Sequence, residues 1–208
     1  KVMSVFLANR DQFPFKGCWS LPGGFVGVKE TLEETAKRVL REKIHLDDLY
    51  LEQLYTFGSI ERDPRMRILS VAYMALVERS DLPNSLQQSD NWFNIQREEG
   101  SLLLKNENNP EIVFDLSKKD ELAFDHADII SVGLERLKNK IEYTDLAFHL
   151  VPNEFTLTEL QNVYEAVLGK KLLAPAFRRT IKSKVVETGN MTSGSGHRPS
   201  ALFEYKSE

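Results

Sequence analysis

The segment 61–67 contains three arginines, and side chains of this type can bind phosphate. Arg62, Arg65 and Arg67 surround Asp63 and Pro64. A guanidinium group suits a diphosphate because its planar fork donates two hydrogen bonds to one phosphate. On residue types alone, a solvated charged turn is the favoured interpretation. The chemistry of this segment therefore depends on what the rest of the chain places beside it.

A glycine turn followed by a capped helix is predicted in the first third of the chain. Pro22-Gly23-Gly24 favours a turn. Thr31 and Glu34 have the spacing of a capping box, which should begin a helix that runs to about Lys43. An apolar stripe should turn one face of this helix toward a core, through Leu32, Ala36, Val39 and Leu40.

The spacing of charged residues after the glycine turn resembles the Nudix box. Gly24, Glu30 and Arg38 are separated by five and by seven residues. Further positions of the box match at Leu40, Glu42 and Leu46, whereas the box is altered at Val39 and Lys43, which replace glutamates, and at His45, which replaces a glycine. The resemblance implies a fold in which glutamates hold a divalent metal against a diphosphate, so that water can attack phosphorus.

The altered positions predict that this metal site has been lost. Residues at i, i+3 and i+4 share one helix face, and only Glu42 of that trio remains a carboxylate. Lys43 would place a positive charge where the metal belongs. We therefore assign no catalytic residue, expect no required cofactor, and keep Mg²⁺, held weakly through Glu42, only for residual hydrolysis. Glu30 and Arg38 are better interpreted as a structural ion pair that braces the loop.

The same resemblance changes the interpretation of two loops. The arginine segment looks like that of Nudix proteins that handle ADP-ribose and related nucleotides, and Leu122-Ala123-Phe124-Asp125-His126 resembles a loop of a regulatory Nudix branch. Asp125 and His126 would then line the pocket, although a cap on the following helix is an equal alternative for Asp125. The residues expected to bind the ligand are Gly23, Gly24, Arg62, Arg65, Arg67, Asp125 and His126.

Alternating strand and helix signals indicate a mixed sheet flanked by helices in the first part of the chain. We expect strands at 2–8, 51–55 and 67–77, a short edge strand at 91–93, and a hairpin at 101–105 and 111–115 that we interpret as an insertion. A helix is expected over 127–140, followed by an apolar stretch. The resemblance implies an α+β chain, with a Nudix α/β/α sandwich over 1–144 and a winged helix-turn-helix domain over 145–208.

The last quarter of the chain has the pattern of two short helices joined by a tight turn. Thr156 and Glu159 form a second capping box, Gly169 would end that helix, and Pro175 suits the first turn of the next one. Strand-like segments then flank a Gly/Ser loop. Periodicity alone favours a winged helix and a small helical cap equally. Residues 155–169, 177–179 and 198–203 resemble the C-terminal domain of Nudix-related transcriptional regulators, which favours the winged helix.

That resemblance implies a transcription regulator. ADP-ribose, or a related nucleotide or sugar metabolite, would bind the first domain and change how a homodimer holds a palindromic operator. The residues expected to contact DNA are Arg178, Arg179, Lys182, Lys184 and Arg198. The rival hypothesis is a working Nudix hydrolase of ADP-ribose-like nucleoside diphosphates with an accessory C-terminal domain, its metal held by Glu42 together with Glu33, Glu34 or Glu61.

Charge and composition agree with either hypothesis. Residues 151–208 carry 8 Lys and Arg against 6 Asp and Glu, although the whole chain carries 27 against 31. The C-terminal part is thus the basic part, and the total charge does not decide nucleic-acid binding. No apolar run approaches the roughly 20 residues of a membrane span. The single Cys18 and the lack of a signal peptide predict a cytoplasmic protein, and a start at Lys1 predicts that an upstream segment precedes this numbering.

Overall fold

The computed structural model describes residues 2–46, 49–98, 100–118, 120–193 and 199–206. The chain divides into two units. The N-terminal unit comprises Val2–Leu76 and Leu82–Arg136, and the C-terminal unit comprises Val77–Asp81 and Leu137–Glu208. The division falls within a helix, so the predicted boundary between residues 144 and 145 stays a prediction.

The N-terminal unit contains eight strands and three helices among its described residues. The strands are β1 (Ser4–Phe6), β2 (Ala8–Asn9), β3 (Trp19–Ser20), β4 (Tyr50–Phe57), β5 (Ser70–Leu76), β6 (Trp92–Glu98), β7 (Ser101–Asn106) and β8 (Val113–Asp115). The helices are α1 (Leu32–Ile44), α2 (Asn84–Gln87) and α3 (His126–Lys140), the last of which continues into the C-terminal unit.

A four-stranded sheet in the order β1-β6-β7-β8 corrects two expectations. β6 is a central strand of seven residues and not a short edge strand. The hairpin of β7 and β8 is part of this sheet and not an insertion, since Leu104 on β7 is fully buried. The apolar side chains packed on the sheet are those of Leu7, Phe93, Leu104, Leu116, Leu122 and Ile130.

The other strand pairs of the N-terminal unit are β2 with β3 and β4 with β5. All strand pairs among the described residues are antiparallel, so the parallel pair that a mixed sheet requires is not among them. The broader expectation of strands and helices in a Nudix arrangement holds, because α1 follows the glycine loop as predicted.

α1 begins and ends where local rules place it. The hydroxyl of Thr31 accepts the N–H of Glu34, and the Glu34 carboxylate accepts the N–H of Thr31, which completes the predicted capping box. Val39 faces the core. His45, which stands where the Nudix box has glycine, closes the helix at φ 55°, in the left-handed region that favours glycine.

The C-terminal unit contains a helix pair followed by a hairpin. Its elements after α3 are a 3-10 helix (Leu146–Leu150), α4 (Leu157–Leu168), α5 (Ala174–Ile181), β9 (Val185–Met191) and β10 (Ala201–Tyr205). Thr156 and Glu159 form the predicted capping box, and Gly169 ends α4 at φ 67°. β9 has seven residues and includes Gly189. This order of elements is a winged helix.

The core of the C-terminal unit comes mainly from α4 and α5. The buried apolar residues of this core are Leu146, Phe155, Leu160, Val163, Val167, Phe177 and Ile181. Phe155 and Phe203 exchange two backbone hydrogen bonds at 2.9 and 2.8 Å, which fastens the start of α4 to β10. No described helix is both long and apolar enough to cross a membrane.

Candidate functional site

Arg38 holds the glycine loop against α1. Its Nε and Nη2 atoms donate to the two carboxylate oxygens of Glu30 at 2.7 and 2.9 Å, and Nη2 also donates to the carbonyl of Phe25 at 2.9 Å. Glu30 accepts further hydrogen bonds from the N–H of Gly27 and the hydroxyl of Thr35, both at 3.0 Å. These bonds, with those from Arg38 first, lower the pKa of Glu30 to about 2. The predicted structural ion pair is present.

Two glycines of this loop leave little room for a side chain. A Cβ at Gly24 would lie 3.0 Å from Cγ2 of Val39, and a Cβ at Gly27 would lie 2.8 Å from Oε2 of Glu30. Gly27 was not among the predicted residues, because the box spacing marks Glu30 but not the backbone that Glu30 binds. A Cβ at Gly23 would meet no atom of another described residue within 4 Å, its chain neighbours aside. The backbone at Gly23 therefore remains open on this side.

The carboxylates of α1 do not fit a divalent metal site. Glu42 Oε2 accepts from Arg38 Nη1 at 3.2 Å. Glu33 pairs with the lysine one turn later at 2.8 Å, and Glu34 is used in the capping box. Val39, in place of a glutamate, is buried. Among the described residues, no three His, Cys, Asp or Glu side chains lie close enough together to hold a metal ion.

A buried ion pair joins the arginine segment to the loop before α3. Arg62 donates from Nε and Nη2 to the two carboxylate oxygens of Asp125 at 2.8 and 2.7 Å. The two side chains are only 5% and 12% exposed. The Asp125 side chain therefore pairs with Arg62, whereas its backbone carbonyl accepts the N–H of Ile129 in α3 at 3.1 Å. Of the Arg62 guanidinium nitrogens, only Nη1 has no partner among the described residues.

His126 ties the same loop to the start of the glycine turn. Its Nδ1 accepts the N–H of Leu21 at 2.9 Å. Burial lowers the pKa of His126 to about 4, with Arg62 and Arg10 lowering it further and Asp125 opposing them. The ring is therefore neutral near pH 7, and its proton is on Nε2, because Nδ1 is an acceptor. The Nε2–H group is the donor that this ring can offer a ligand.

Two aromatic residues beside His126 were missed by sequence reasoning. Phe15 and Phe124 pack edge to face with ring centroids 4.8 Å apart, and the guanidinium of Arg10 lies 4.8 Å from the Phe124 centroid. Both phenylalanines have φ values in the left-handed region, 64° and 58°, which costs about 1–2 kcal/mol each. Nothing in the sequence marks this strain, because it depends on packing between loops far apart along the chain.

The remaining arginines of the segment lie at the surface. Arg65 donates to both oxygens of Asp63 at 3.0 and 2.8 Å, and these bonds are the main reason that the pKa of Asp63 falls to about 2. Arg67 is exposed and forms no ion pair with any described residue. The structure thus brings Arg62, Asp125 and His126 together, pairs Arg65 with Asp63 at the surface, and leaves Arg67 exposed.

α5 has one buried face and one basic face. Phe177 and Ile181 are 7% and 2% exposed, and the Phe177 ring packs edge to face on Tyr164 at 5.2 Å. The exposed residues on this helix and directly after it include the predicted Arg178, Arg179 and Lys182. Among the described residues, no acidic side chain forms an ion pair with these three cations.

Two other predicted DNA contacts differ from this group. Lys184 lies after α5, and its Nζ donates to the carbonyls of Glu142 and Thr144 at 3.4 and 3.3 Å, which is a structural use of the ammonium group. Arg198 lies outside the described residues, in the segment between β9 and β10.

Acid should destabilise the N-terminal unit through His126. The ordinary pKa of 6.5 falls to about 4 in the folded chain, so the unfolded chain takes up a proton first as the pH falls. The stability that the neutral ring provides is present above about pH 6.5 and is lost toward pH 4. Between about pH 6.5 and pH 4, the free energy of unfolding measured with urea should fall by up to about 3 kcal/mol more in wild type than in His126→Gln. An equal loss of unfolding free energy in both proteins would contradict the lowered pKa of His126. The control is His45→Asn, which replaces an exposed histidine.

Comparison with known proteins identifies both units. Residues 2–116 match the model of the NUDIX domain, and residues 147–205 match that of the NrtR DNA-binding winged helix domain. The chain is 37% identical over 208 residues to the ADPR responsive transcriptional repressor NtrR of Acinetobacter baylyi, which covers 98% of this chain and 76% of that protein. It is also 32% identical over 126 residues to an ADP-ribose pyrophosphatase of Methanocaldococcus jannaschii, covering 61% of this chain and 63% of that enzyme.

Solved structures agree with this assignment. The crystal structure of Shewanella oneidensis NrtR complexed with a 27mer DNA matches with a TM-score of 0.77 at 31% identity, covering 99% of this chain and 87% of that chain. A MutT/nudix family protein of Enterococcus faecalis matches with a TM-score of 0.81 at 29% identity, covering 99% and 82%. The chain therefore belongs to the NrtR family, in which a Nudix domain is followed by a winged helix domain.

Proposed function

We propose that this chain is a transcriptional repressor that responds to ADP-ribose or a related nucleotide or sugar metabolite. The observation that carries the proposal is the basic face of α5, where Arg178, Arg179 and Lys182 are exposed opposite the buried Phe177 and Ile181. A second helix of this kind inserts into the major groove in helix-turn-helix proteins. The name of the Acinetobacter baylyi relative supports both the DNA and the ADP-ribose parts. Repression of chromosomal genes would place the protein in the cytoplasm.

The effector would bind where the three loops of the N-terminal unit meet. The open backbone at Gly23, the Nε2–H of His126 and the guanidinium of Arg62 are the groups suited to a diphosphate or a ribose hydroxyl. A phosphate that engages Arg62 fully must compete with Asp125. That competition would alter the loop before α3. An effector shifts a conformational equilibrium only when it binds one conformation more tightly than the other, and a changed contact at Asp125 would provide that difference.

Hydrolysis of ADP-ribose is the second candidate function, and similarity to the Methanocaldococcus jannaschii pyrophosphatase favours it. The side chains of α1 oppose it. Val39 offers no ligand, Lys43 adds a positive charge, and the Glu42 carboxylate is bonded to Arg38. The proposal is therefore that the chain binds the diphosphate without cleaving it.

We expect turnover of ADP-ribose with MgCl₂ to stay far below about 1 per second, a slow rate for an enzyme. The measurement is the amount of AMP released, which chromatography detects. Lys43→Glu should not restore activity, because Val39 still lacks a carboxylate and Glu42 remains paired with Arg38. Turnover of about 1 per second or faster by wild type would contradict the proposed loss of hydrolysis.

Arginines of the two units should have separable effects. The probe is the duplex that the wild-type chain enriches most strongly from a random-sequence library. Arg178→Ala should weaken binding to that duplex by roughly 1–3 kcal/mol for a lost bidentate base contact, whereas Arg65→Ala should alter only the response to ADP-ribose. Both variants are tested across a salt series with and without ADP-ribose, after circular dichroism confirms folding. If Arg65→Ala weakens DNA binding without ADP-ribose as much as Arg178→Ala does, the proposed separation of effector and DNA contacts is wrong.

We further propose that a homodimer binds a palindromic operator, because one winged helix covers only a half-site and a two-fold protein reads a two-fold sequence. Enriched duplexes should contain inverted half-sites separated by a whole number of helical turns. Analytical ultracentrifugation at micromolar concentration should give a dimer. A monomer that still binds an enriched duplex specifically would show that the two-fold arrangement is wrong.

A further inference from the structure

Glu165 on α4 is bonded to the turn that leads into α5. One carboxylate oxygen accepts the N–H of Leu172 at 2.9 Å, and the other accepts Nζ of Lys171 at 2.7 Å. The Glu165 side chain is only 10% exposed, whereas that of Lys171 is 91% exposed. A carboxylate is therefore withdrawn from water at the point where the chain reverses between the two helices.

Gln161, one turn earlier on α4, binds the same residue of the turn. Its Nε2 donates to the carbonyl of Leu172 at 3.0 Å and to Oε1 of Glu165 at 3.0 Å. Both backbone groups of Leu172 are thus held by side chains of α4. We name this arrangement of Gln161, Glu165 and Leu172 the turn clamp.

Besides Pro175 in its first turn, α5 has little else that determines where it begins. Its N-cap, Leu173, makes no side-chain capping bond, unlike the capping box at the start of α4. Within the helix, the buried residues are Phe177 and Ile181, which lie four positions apart on one face. These two contacts select the inward face, but they restrain less well the position of the helix along its own axis. The turn clamp acts one residue before the N-cap and supplies that restraint.

We propose that Glu165, assisted by Gln161, is a positioning residue for DNA recognition, which fixes the start of α5 and thereby aims Arg178 and Arg179. The inference rests on the proposed DNA-binding function. Base contacts need accurate hydrogen-bond geometry, whereas phosphate contacts carry no sequence information. Loss of the turn clamp should therefore reduce sequence-specific binding and leave non-specific binding intact. The bonds from Lys171, Leu172 and Gln161 lower the pKa of Glu165 to about 2, so the clamp persists at neutral pH.

The test uses the full chain with two duplexes: the one most enriched by wild type and a shuffled duplex of the same composition. Glu165→Met removes the acceptor oxygens and keeps a side chain of similar length. It should weaken binding to the enriched duplex by about tenfold, the value of one good base contact. Binding to the shuffled duplex and the salt slope should not fall. Simple removal of a negative charge near DNA would instead strengthen binding to both duplexes.

Two further variants separate positioning from charge. Glu165→Gln keeps an oxygen that can accept the N–H of Leu172, so it should restore most of the specific binding. Glu187→Gln removes the same charge from an exposed position of β9 and should leave the ratio of the two affinities unchanged. If Glu165→Gln loses as much specificity as Glu165→Met, the charge matters more than the acceptor and the proposal is wrong.

Gln161→Leu tests the turn clamp even if Glu165→Met does not fold, because it removes the bond to the Leu172 carbonyl and leaves the carboxylate in place. It should show the same selective loss on the enriched duplex. An equal loss on both duplexes, in variants that remain folded by circular dichroism, would indicate general damage and overturn the positioning role. If wild type enriches no sequence, the proposed function fails and the inference fails with it. If wild type is selective and the folded variants are equally selective, only the inference fails.

Discussion

The contact between Arg38 and Glu30 is the interaction on which the glycine loop depends. Arg38 uses its guanidinium on Glu30, on the carbonyl of Phe25 and on Glu42, and Glu30 in turn holds Gly27 and α1. The charges that remain from the Nudix box are therefore satisfied within the chain. This explains how the framework of the box persists although Val39 and Lys43 replace two of its carboxylates: the framework residues shape the loop, which is a separate task from holding a metal.

A buried ion pair gives the N-terminal unit a second constraint of the same kind. Arg62 and Asp125 are nearly removed from water, so the loss of either partner alone would leave an uncompensated charge, at a cost of about 3–5 kcal/mol. An anionic ligand is one of the few partners that could replace Asp125 without that penalty. The neutral His126 beside the pair holds the start of the glycine turn. Binding and loop conformation are therefore expected to be coupled at this place.

The two helices of the winged helix are held by different kinds of interaction. α4 begins at a capping box and ends at a left-handed glycine, both of which belong to the helix itself. α5 depends on α4, through two buried side chains and through polar side chains that bind the intervening turn. Two residues of α5 are buried, so its contacts with α4 and the bonds that α4 makes to the turn contribute to its position.

The sequence by itself determined the features that depend on residues close together along the chain. The capping boxes at Thr31 and Thr156 and the glycine end of α4 join residues three or four positions apart, and the spacing of the Nudix box indicated the family. The tertiary structure decided which charges meet. Arg62 and Asp125 lie 63 positions apart, and Leu21 and His126 lie 105 apart. Spacing contains no information on such pairs, because only the packing of the loops around the sheet determines whether an arginine faces a ligand or a carboxylate of its own chain.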